Sequence, residues 1–361
     1  MPTAHINRIA TAVPPHDMHQ AFLLFVEDML PEGKPRSLYR RMARAAAIDH
    51  RYTFLKPIVA EDGSVRDLNQ FYVRGNFPAT ARRMEAYEQL APVLARDAID
   101  KLALSEAERQ AVTHVIVTTC TGLYAPGLDF EVIDHLRLLP SVERTLIGFM
   151  GCFAAINALK TARHIVRSQP GSRVLLLSLE LCSLHLQETQ DLEQLLAFTV
   201  FADGCAAYVV SEHPIGLAID NFLAVRLPNT HQLITWRIGQ QGFDMILSGQ
   251  VPGELRRGLA AASNQITGCA DSFSPDRRPI DLWAVHPGGR TILDAAEQGL
   301  ALPSEALADS RGILLNYGNM SSASVMFVLE RIMRRARSGQ LGCAMSFGPG
   351  VTAETMMFHA V

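Results

Sequence analysis

The chain has 361 residues, of which 48% are hydrophobic and 19% charged, and its formal net charge is −3 at pH 7. This length fits two domain-sized units or one large fold with internal pseudo-symmetry. A charge so close to zero provides no basic field for nucleic acid or for an anionic membrane surface. No apolar run approaches the ~18 residues needed to span a bilayer. The first twenty residues lack a basic segment followed by an apolar one, so we expect neither membrane insertion nor a signal peptide.

The cysteines form no C-x-x-C pair and have no regular spacing, which argues against a metal site and against a disulfide framework. They are Cys120, Cys152, Cys182, Cys205, Cys269 and Cys343. We therefore expect a cytoplasmic protein in which most cysteines are small buried hydrophobic residues.

Short apolar strands alternate with amphipathic helices along the chain. Continuous apolar runs predict strands covered on both faces, and apolar residues at helical spacing predict helices. In chain order, the predicted elements are a helix over 84–103, a strand over 114–119, a helix over 152–168, strands over 173–181, 206–211, 217–225 and 281–285, helices over 290–302 and 319–337, and a hairpin of strands over 343–347 and 355–361.

The order strand–turn–helix occurs in both parts of the chain, which predicts an α/β fold made of two similar halves. Pro214 lies between two predicted strands, so we place the halves at 1–213 and 214–361. No low-complexity or linker-like stretch separates them, and we expect them to pack as one body.

Cys152 is a candidate nucleophile because Gly148 and Gly151 precede it and a predicted helix follows it. The N–H groups at a helix N-terminus stabilise a thiolate. On this segment alone, a core cysteine beneath a helix is an equally good interpretation.

Two further segments carry side chains that would complement a thiolate. His286 ends a predicted strand and precedes Pro-Gly-Gly, where glycines let a ligand approach the backbone. An imidazole there can raise the thiolate population and donate to a developing oxyanion. Asn319 precedes a run of small residues that opens a predicted helix, so it is either the N-cap of that helix or a donor to a thioester carbonyl.

With these residues, the chain resembles the type III polyketide synthases, the chalcone synthase-like branch of the thiolase-fold condensing enzymes. The resemblance covers nearly the whole length, through Arg51-Tyr52, Gly151-Cys152, Phe201-Ala202-Asp203-Gly204, His286-Pro287-Gly288-Gly289, Asn319-Met320-Ser321-Ser322 and Phe347-Gly348-Pro349-Gly350. It implies a five-layered αβαβα thiolase-like fold and a homodimer with one active site in each subunit.

The resemblance also implies roles for individual residues. Cys152 is the nucleophile, and His286 with Asn319 supports decarboxylation and stabilises the oxyanion. Phe201 is the aromatic gatekeeper between a CoA tunnel and the cavity. Arg41 occupies the place of a basic residue for the CoA phosphates, although the neighbouring lysines of the family are not reproduced.

Other positions are assigned to the cavity by the same resemblance. Gly348 and Pro349 belong to its terminal turn, and the strand that shapes its wall contains Glu180, Cys182 and His185, of which the last two replace threonines. Met245 occupies the place of the second aromatic gatekeeper of the plant enzymes.

Three departures from the plant pattern bear on the substrate. Trp236 replaces a cavity glycine, although a half-buried packing aromatic is an equally good interpretation. Ala125 replaces a methionine that reaches across the dimer interface. Cys120, in a Cys-Thr-Gly turn, replaces a threonine and is similar to bacterial members, several of which use long fatty acyl starters.

The implied reaction is iterative and uses CoA thioesters as substrates, without a metal, flavin or nicotinamide cofactor. Cys152 takes an acyl starter from acyl-CoA, malonyl-CoA loses CO2, and the resulting enolate attacks the Cys152 thioester. Ring closure then gives a pyrone or resorcinol-type product, and the bacterial features favour medium or long acyl starters.

Two alternatives stay open on the sequence. A ketoacyl-ACP synthase III-like enzyme would share the fold and the Cys-His-Asn set but would catalyse a single condensation. A non-catalytic acyl-CoA-binding relative would keep the fold without turnover.

Overall fold

A computed structural model describes residues 2–266 and 279–361 of the chain. Cys269 therefore lies outside the described residues. The strands are β1 (His5–Ala12), β2 (His16–Asp17), β3 (Tyr52–Thr53), β4 (Pro57–Val59), β5 (Val65–Asp67), β6 (His114–Thr119), β7 (Glu143–Gly148), β8 (Arg173–Leu181), β9 (Asp203–Ser211), β10 (Leu217–Arg226), β11 (Ile234–Gly239), β12 (Gly242–Leu247), β13 (Leu282–Val285), β14 (Leu341–Gly348) and β15 (Thr352–Ala360).

The α-helices are α1 (His19–Glu27), α2 (Lys34–Arg44), α3 (Thr80–Asp100), α4 (Glu106–Gln110), α5 (Leu128–Leu136), α6 (Ala154–Ser168), α7 (Leu192–Phe198), α8 (Val251–Ile266), α9 (Arg290–Gly299), α10 (Ala308–Tyr317) and α11 (Ser324–Met333). Short 3₁₀ turns cover Gly151–Phe153, Cys182–His185 and Ser321–Ala323. Within the described ranges, no helix is both long enough and apolar enough to cross a bilayer.

Nine strands form a mixed sheet in the order β13-β14-β15-β10-β1-β9-β8-β6-β7. Strands β6, β7 and β8 are parallel to one another, and β13 is parallel to β14. The first part of the chain supplies one run of neighbouring strands, β1-β9-β8-β6-β7. The second part supplies the other run, β13-β14-β15-β10. These two runs meet where β1 and β10 pair over only two positions, His5 with Ala218 and Ile6 with Leu217.

Hydrophobic clusters arrange these elements in five layers. The central cluster packs α6 and α11 between the two runs of strands. A second cluster packs α3 and α5 on the outer face of the first run, and a third packs α8, α9 and α10 on the outer face of the second run. The result is the αβαβα arrangement of a thiolase-like fold, as the sequence predicts.

The composition of α6 explains its central place. Four of its buried residues are alanines, at 154, 155, 158 and 162, and small side chains let a helix approach strands on both sides. α11 is buried along most of its length, which suits a helix that is apolar all round.

The predicted strands match the observed ones closely, with 114–119 and 173–181 matched residue for residue. The predicted helix ends are less accurate. The helix over 84–103 begins earlier, at Thr80, because its first turn is polar and has no apolar periodicity. The helix over 290–302 ends at Gly299, since glycine favours a helix end.

Two helix starts need a correction, and both lie at candidate site residues. Cys152 is not in an α-helix but in the 3₁₀ turn before α6, because Phe153 has φ −92° and ψ 2° rather than α-helical angles. Asn319 lies outside α11, because Ser321 has the left-handed φ of 47° and no α-helix can pass through it.

Candidate active site

An apolar cavity opens where several strands end. Cys120 follows β6, Cys182 follows β8 and His286 follows β13, and all three side chains line the cavity. The carboxyl ends of parallel strands are the usual place for ligand sites in α/β sheets. Cys152 and Asn319 line the same cavity, so the fold brings the predicted trio together.

Gly151 fixes the turn that presents Cys152. It has φ +75°, and a Cβ at this position would lie 2.3 Å from Pro349 Cδ. Any other residue would therefore be strained and would collide with the Gly348-Pro349 turn. The Gly151 N–H also donates to Cys120 Sγ at 3.1 Å, which ties the nucleophile turn to the end of β6.

The Asn319 carboxamide is held from both ends. Its Oδ1 accepts a hydrogen bond from Ser321 N–H at 2.9 Å, and its Nδ2 donates to the Gly288 carbonyl at 3.2 Å. The left-handed Ser321 turns its hydroxyl toward the nucleophile, and the Cys152 thiol donates to Ser321 Oγ at 3.6 Å. Asn319 thus bonds the 3₁₀ turn before α11 and faces the cavity, but it is not the N-cap of that helix, because Ala323 occupies that position.

His286 is held by its backbone, whose N–H donates to the Met345 carbonyl at 2.7 Å. Its side chain is buried, and among the residues that the structure describes neither ring nitrogen has a hydrogen-bond partner. A buried polar group without a partner is costly. An imidazole in this state on a cavity wall is suited to bond a substrate oxygen.

Burial dominates the electrostatics of the trio. It raises the pKa of the Cys152 thiol to about 12, although hydrogen bonds from Ser321 and Asn319 act in the opposite direction. It lowers the pKa of His286 to about 3. The thiolate stabilisation expected from a helix N-terminus is therefore outweighed by burial.

The far wall of the cavity comes from the β11–β12 hairpin, where Trp236 pairs with Met245. Both side chains line the cavity, and Trp236 Nε1–H donates to the Cys120 carbonyl at 2.7 Å. Phe201 stands on another side of the cavity, and Gly348 with Pro349 forms its rim near Cys152.

Glu180 and His185 lie behind the wall rather than in it. The Glu180 carboxylate accepts hydrogen bonds from Cys120 N–H at 2.9 Å, Thr121 Oγ1 at 2.8 Å and Ser322 Oγ at 2.6 Å. It thereby ties β6 and β8 to the turn before α11. Burial raises the pKa of Glu180 to about 7.

His185 supports the aromatic wall. Its Nδ1 accepts from Phe243 N–H at 3.0 Å and its Nε2–H donates to the Thr121 carbonyl at 2.7 Å, with the tautomer set by these partners. Its ring stacks on Phe243 at 4.2 Å and meets Trp236 edge-on at 5.6 Å. Burial lowers the pKa of His185 to about 3, so it is a neutral packing group.

Ala125 and Arg41 are outside the cavity of their own chain, and both are exposed. Ala125 follows β6 in an outer loop, whereas Arg41 lies on α2 beside Arg40 and Arg44 in a surface depression.

The sequence interpretation missed Ser321 as the partner of the thiol, and it missed apolar lining residues contributed by helices. These include Phe198 of α7, Val251 of α8 and Ile292 of α9. Ser321 belongs to the Asn319-Met320-Ser321-Ser322 motif, so its position beside Asn319 could have indicated it. The three apolar residues carry no local signal, because each helix has many similar positions.

The fold is that of the thiolase-like condensing enzymes, and its cavity contains a cysteine, a histidine and an asparagine side chain. Family models for the N-terminal and C-terminal domains of chalcone and stilbene synthases match residues 2–214 and 217–361. The chain belongs to the chalcone and stilbene synthase family and is a type III polyketide synthase, an acyltransferase-type enzyme.

Individual relatives agree with this assignment. The α-pyrone synthesis polyketide synthase-like Pks18 of Mycobacterium tuberculosis is 35% identical over 297 residues, which are 79% of this chain and 75% of Pks18. The crystal structure of PKS-I from the brown alga Ectocarpus siliculosus superposes with a TM-score of 0.85 at 32% identity, over 100% of this chain and 99% of that one. CsyB complexed with CoA-SH shares the fold, with a TM-score of 0.84 at 22% identity over 99% of this chain and 100% of that one.

Proposed function

We propose that this enzyme loads a medium or long acyl starter from acyl-CoA onto Cys152, extends it repeatedly with malonyl-CoA, and cyclises the product to an alkylpyrone or alkylresorcinol. The observation that carries the proposal is the meeting of Cys152, Asn319 and an unpartnered, buried His286 in one apolar cavity.

The steps follow from these groups. Cys152 passes its proton to His286 and attacks the acyl-CoA carbonyl, and the CoA thiolate leaves with the proton that His286 returns. Malonyl-CoA then binds and loses CO2, which leaves an enolate of acetyl-CoA. Asn319 Nδ2 and the neutral His286 N–H donate to the enolate oxygen, and the enolate carbon attacks the Cys152 thioester. The new C–C bond forms as the C–S bond breaks, which releases the Cys152 thiolate and leaves the lengthened chain on CoA. Transfer of the lengthened chain back to the thiolate starts the next round.

The starter class is supported by the apolar cavity. Trp236, Met245, Phe198 and Phe201 give it walls that favour a hydrocarbon chain. The relation to Pks18, which is described as an α-pyrone synthesis enzyme, favours a pyrone among the ring types.

The experiment measures malonyl-CoA decarboxylation and polyketide products by mass spectrometry with acyl-CoA starters from acetyl to stearoyl. Removing one donor to an oxyanion lowers kcat by ~100–1000-fold, so we expect losses of this order in His286→Gln and Asn319→Ala and no product in Cys152→Ala. Cys343→Ala is the matched control, because this buried cysteine lies in the third core cluster, away from the cavity. A single condensation, or activity only with an acyl carrier protein, would contradict the proposal.

We further propose that Arg41 and Arg44 on α2 bind the phosphates of CoA. In the described part of the chain, neither makes a hydrogen bond or ion pair, whereas Arg40 is bonded to Glu27. Two exposed arginines on one helix and the likeness to CsyB, whose structure was solved with CoA-SH, support this proposal. Arg41→Ala should raise KM for acyl-CoA with kcat unchanged, and it should leave KM unchanged for an N-acetylcysteamine thioester, which has no phosphates.

We also propose a homodimer formed across the β7 edge. Among the described residues, no strand pairs with the outer edge of β7, and Leu146 on this strand is 48% exposed. Phe130 of α5 is 42% exposed nearby, beneath the Arg144 guanidinium at 4.2 Å. A second copy would cover this edge and would bring its Ala125 loop with it. Light scattering should give a dimer for the wild type and a smaller species for Leu146→Lys; a monomeric wild type would contradict the proposal.

Two expectations from the sequence remain part of this proposal. The division into halves 1–213 and 214–361 is supported by the two family models, which meet close to this boundary and leave only residues 215–216 unmatched between them. The cytoplasmic location is supported by the five free cysteines among the described residues, which suit a reducing compartment.

A further inference from the structure

Arg51 is a buried cation for which the reaction has so far supplied no role. Its side chain is fully buried, its Nε donates to His19 Nδ1 at 2.9 Å, and its guanidinium lies 4.3 Å from the centre of the Phe22 ring. Burial lowers the pKa of Arg51 to about 10, so it remains charged at neutral pH. Burying a charge is costly unless it is paired or bonded, and a buried ion is weak evidence for a stabilising role alone.

The remaining side-chain hydrogen bonds of Arg51 go to the segment that contains Phe198 and Phe201. Nη1 donates to the carbonyl of Phe201 at 2.7 Å and to that of Phe198 at 3.2 Å. Both phenylalanines line the cavity. A planar guanidinium with several fixed donors can hold two carbonyls at once, which an ammonium group does less well.

The opposite edge of the same segment is bonded to Asn319. The Asn319 N–H donates to the Val200 carbonyl at 2.7 Å, and the Ala202 N–H donates to the Asn319 carbonyl at 2.9 Å. The segment 198–202 is therefore held between the guanidinium and the backbone of the catalytic asparagine.

Arg51 also packs against the residue before Asn319. Gly318 has φ +69°, and a Cβ there would lie 2.8 Å from Arg51 Cγ and 2.9 Å from the Val200 carbonyl oxygen. A side chain at this position would thus push apart Arg51, the 198–202 segment and the Asn319 turn.

We propose that Arg51 is a positioning residue for malonyl-CoA decarboxylation, which sets the place of the Asn319 carboxamide and the Phe201 ring through the 198–202 segment. This inference rests on the proposed role of Asn319. Arg51 touches no reacting atom, and its effect reaches the enolate only through the backbone of Asn319.

A second buried arginine supplies the comparison for a purely structural role. Arg83 is also fully buried, and its Nη1 donates to the carbonyls of Leu184 at 2.6 Å and Leu186 at 2.9 Å. Neither of these carbonyls belongs to the segment bonded to Asn319. Arg83→Lys therefore removes a similar pair of hydrogen bonds to backbone carbonyls without disturbing the backbone contacts of Asn319.

The test compares two rates in four variants, Arg51→Lys, Gly318→Ala, Arg83→Lys and Asn319→Ala. One rate is the acylation of Cys152 by acyl-CoA, followed by the mass of the intact protein after quenching. The other is the release of CO2 from malonyl-CoA by the acylated enzyme. Melting temperatures are measured alongside, because loss of either buried arginine lowers stability.

We expect Arg51→Lys and Gly318→Ala to lower CO2 release at least tenfold while acylation stays within about twofold, since a misplacement of about 1 Å can cost ~100-fold in rate. Arg83→Lys should lose stability with the ratio of the two rates unchanged. If Arg51→Lys does not fold, Gly318→Ala decides the question, because it displaces the same contacts of Arg51 without removing the arginine from the chain.

An unchanged rate ratio in both Arg51→Lys and Gly318→Ala, beside a strong loss of CO2 release in Asn319→Ala, overturns the inference and leaves the proposed function intact. A normal rate of CO2 release in Asn319→Ala overturns the proposed role of Asn319, and the role of Arg51 with it.

Discussion

Replacing Trp236 by alanine should lengthen the acyl starter that the enzyme prefers. The indole lines the cavity, its Nε1–H donates to the Cys120 carbonyl at 2.7 Å, and its ring meets His185 and Phe243 edge-on at 5.6 and 5.8 Å. His185 and Phe243 are stacked on each other and hold the space behind the indole. The substitution should therefore extend the cavity without collapse of the wall.

The magnitude follows from the transfer of methylene groups out of water. Each methylene that gains a place in apolar surroundings contributes ~0.8 kcal/mol, which is about fourfold in kcat/KM. A starter three methylenes longer than the wild-type optimum should therefore gain about 60-fold relative to that optimum. The stability loss should fall below the ~3–5 kcal/mol of a fully buried tryptophan, because Trp236 is only partly buried and one face borders the cavity.

The assay is a competition among acyl-CoA starters from hexanoyl to stearoyl, with product ratios read by mass spectrometry, because these ratios report relative kcat/KM directly. Trp236→Phe keeps most of the ring while losing the hydrogen bond, so it should shift the preference much less. Trp283→Phe is the matched control, since this second tryptophan is buried in the third core cluster. The same starter profile in Trp236→Ala and the wild type would refute the reasoning.

Two further predictions concern the nucleophile turn and the carboxylate behind it. Gly151→Ala should slow acylation of Cys152 by about 100-fold, because the new Cβ would collide with Pro349. Gly171 has a similar φ of +81°, but a Cβ there would have no atom within 4 Å, so Gly171→Ala should leave the rate unchanged. Equal rates in the two variants would contradict the assigned collision with Pro349. The raised pKa of Glu180, about 7, means that its contribution to stability is full below its unfolded pKa and is lost as pH rises through about 7. From pH 5 to pH 8, the wild type should therefore lose about 2–3 kcal/mol more unfolding free energy than Glu180→Gln, as measured by urea unfolding, and parallel pH profiles would show that this carboxyl titrates normally.

The strands could be predicted, and so could the three residues Cys152, His286 and Asn319 that line one cavity, because their signals in the sequence are local. Buried parallel strands need continuous apolar runs, and 114–119 and 173–181 contain them. Cys152, His286 and Asn319 each stand beside small residues that admit a substrate. These motifs can be recognised in the sequence without knowing which residues are in contact.

The turns before α6 and α11 could not be predicted, because distant contacts determine them. The conformation of Gly151 depends on Pro349, which is far away in sequence. The positions of Glu180 and His185 behind the wall depend on partners in other segments.

The charge state of Cys152 and the proposed role of Arg51 could not be predicted either, because both depend on contacts between residues that are far apart in the sequence. Helix-terminus reasoning predicts a stabilised thiolate, whereas burial of the whole cavity raises the pKa of Cys152. Arg51 bonds the Phe201 carbonyl, which is 150 residues away in the sequence. The Arg51-Tyr52 motif could therefore be recognised in the sequence, but its contact with Phe201 could not.

The central claim is that Cys152 carries the growing chain through repeated condensations. The most direct measurement is the mass of the intact protein, quenched at intervals after acyl-CoA and malonyl-CoA are mixed with it, with the modified residue located by peptide fragmentation. We predict the starter acyl group and then successive C2 extensions on Cys152, and no adduct in Cys152→Ala. Extended products formed while Cys152 stays unmodified, or formed by Cys152→Ala, would contradict the claim.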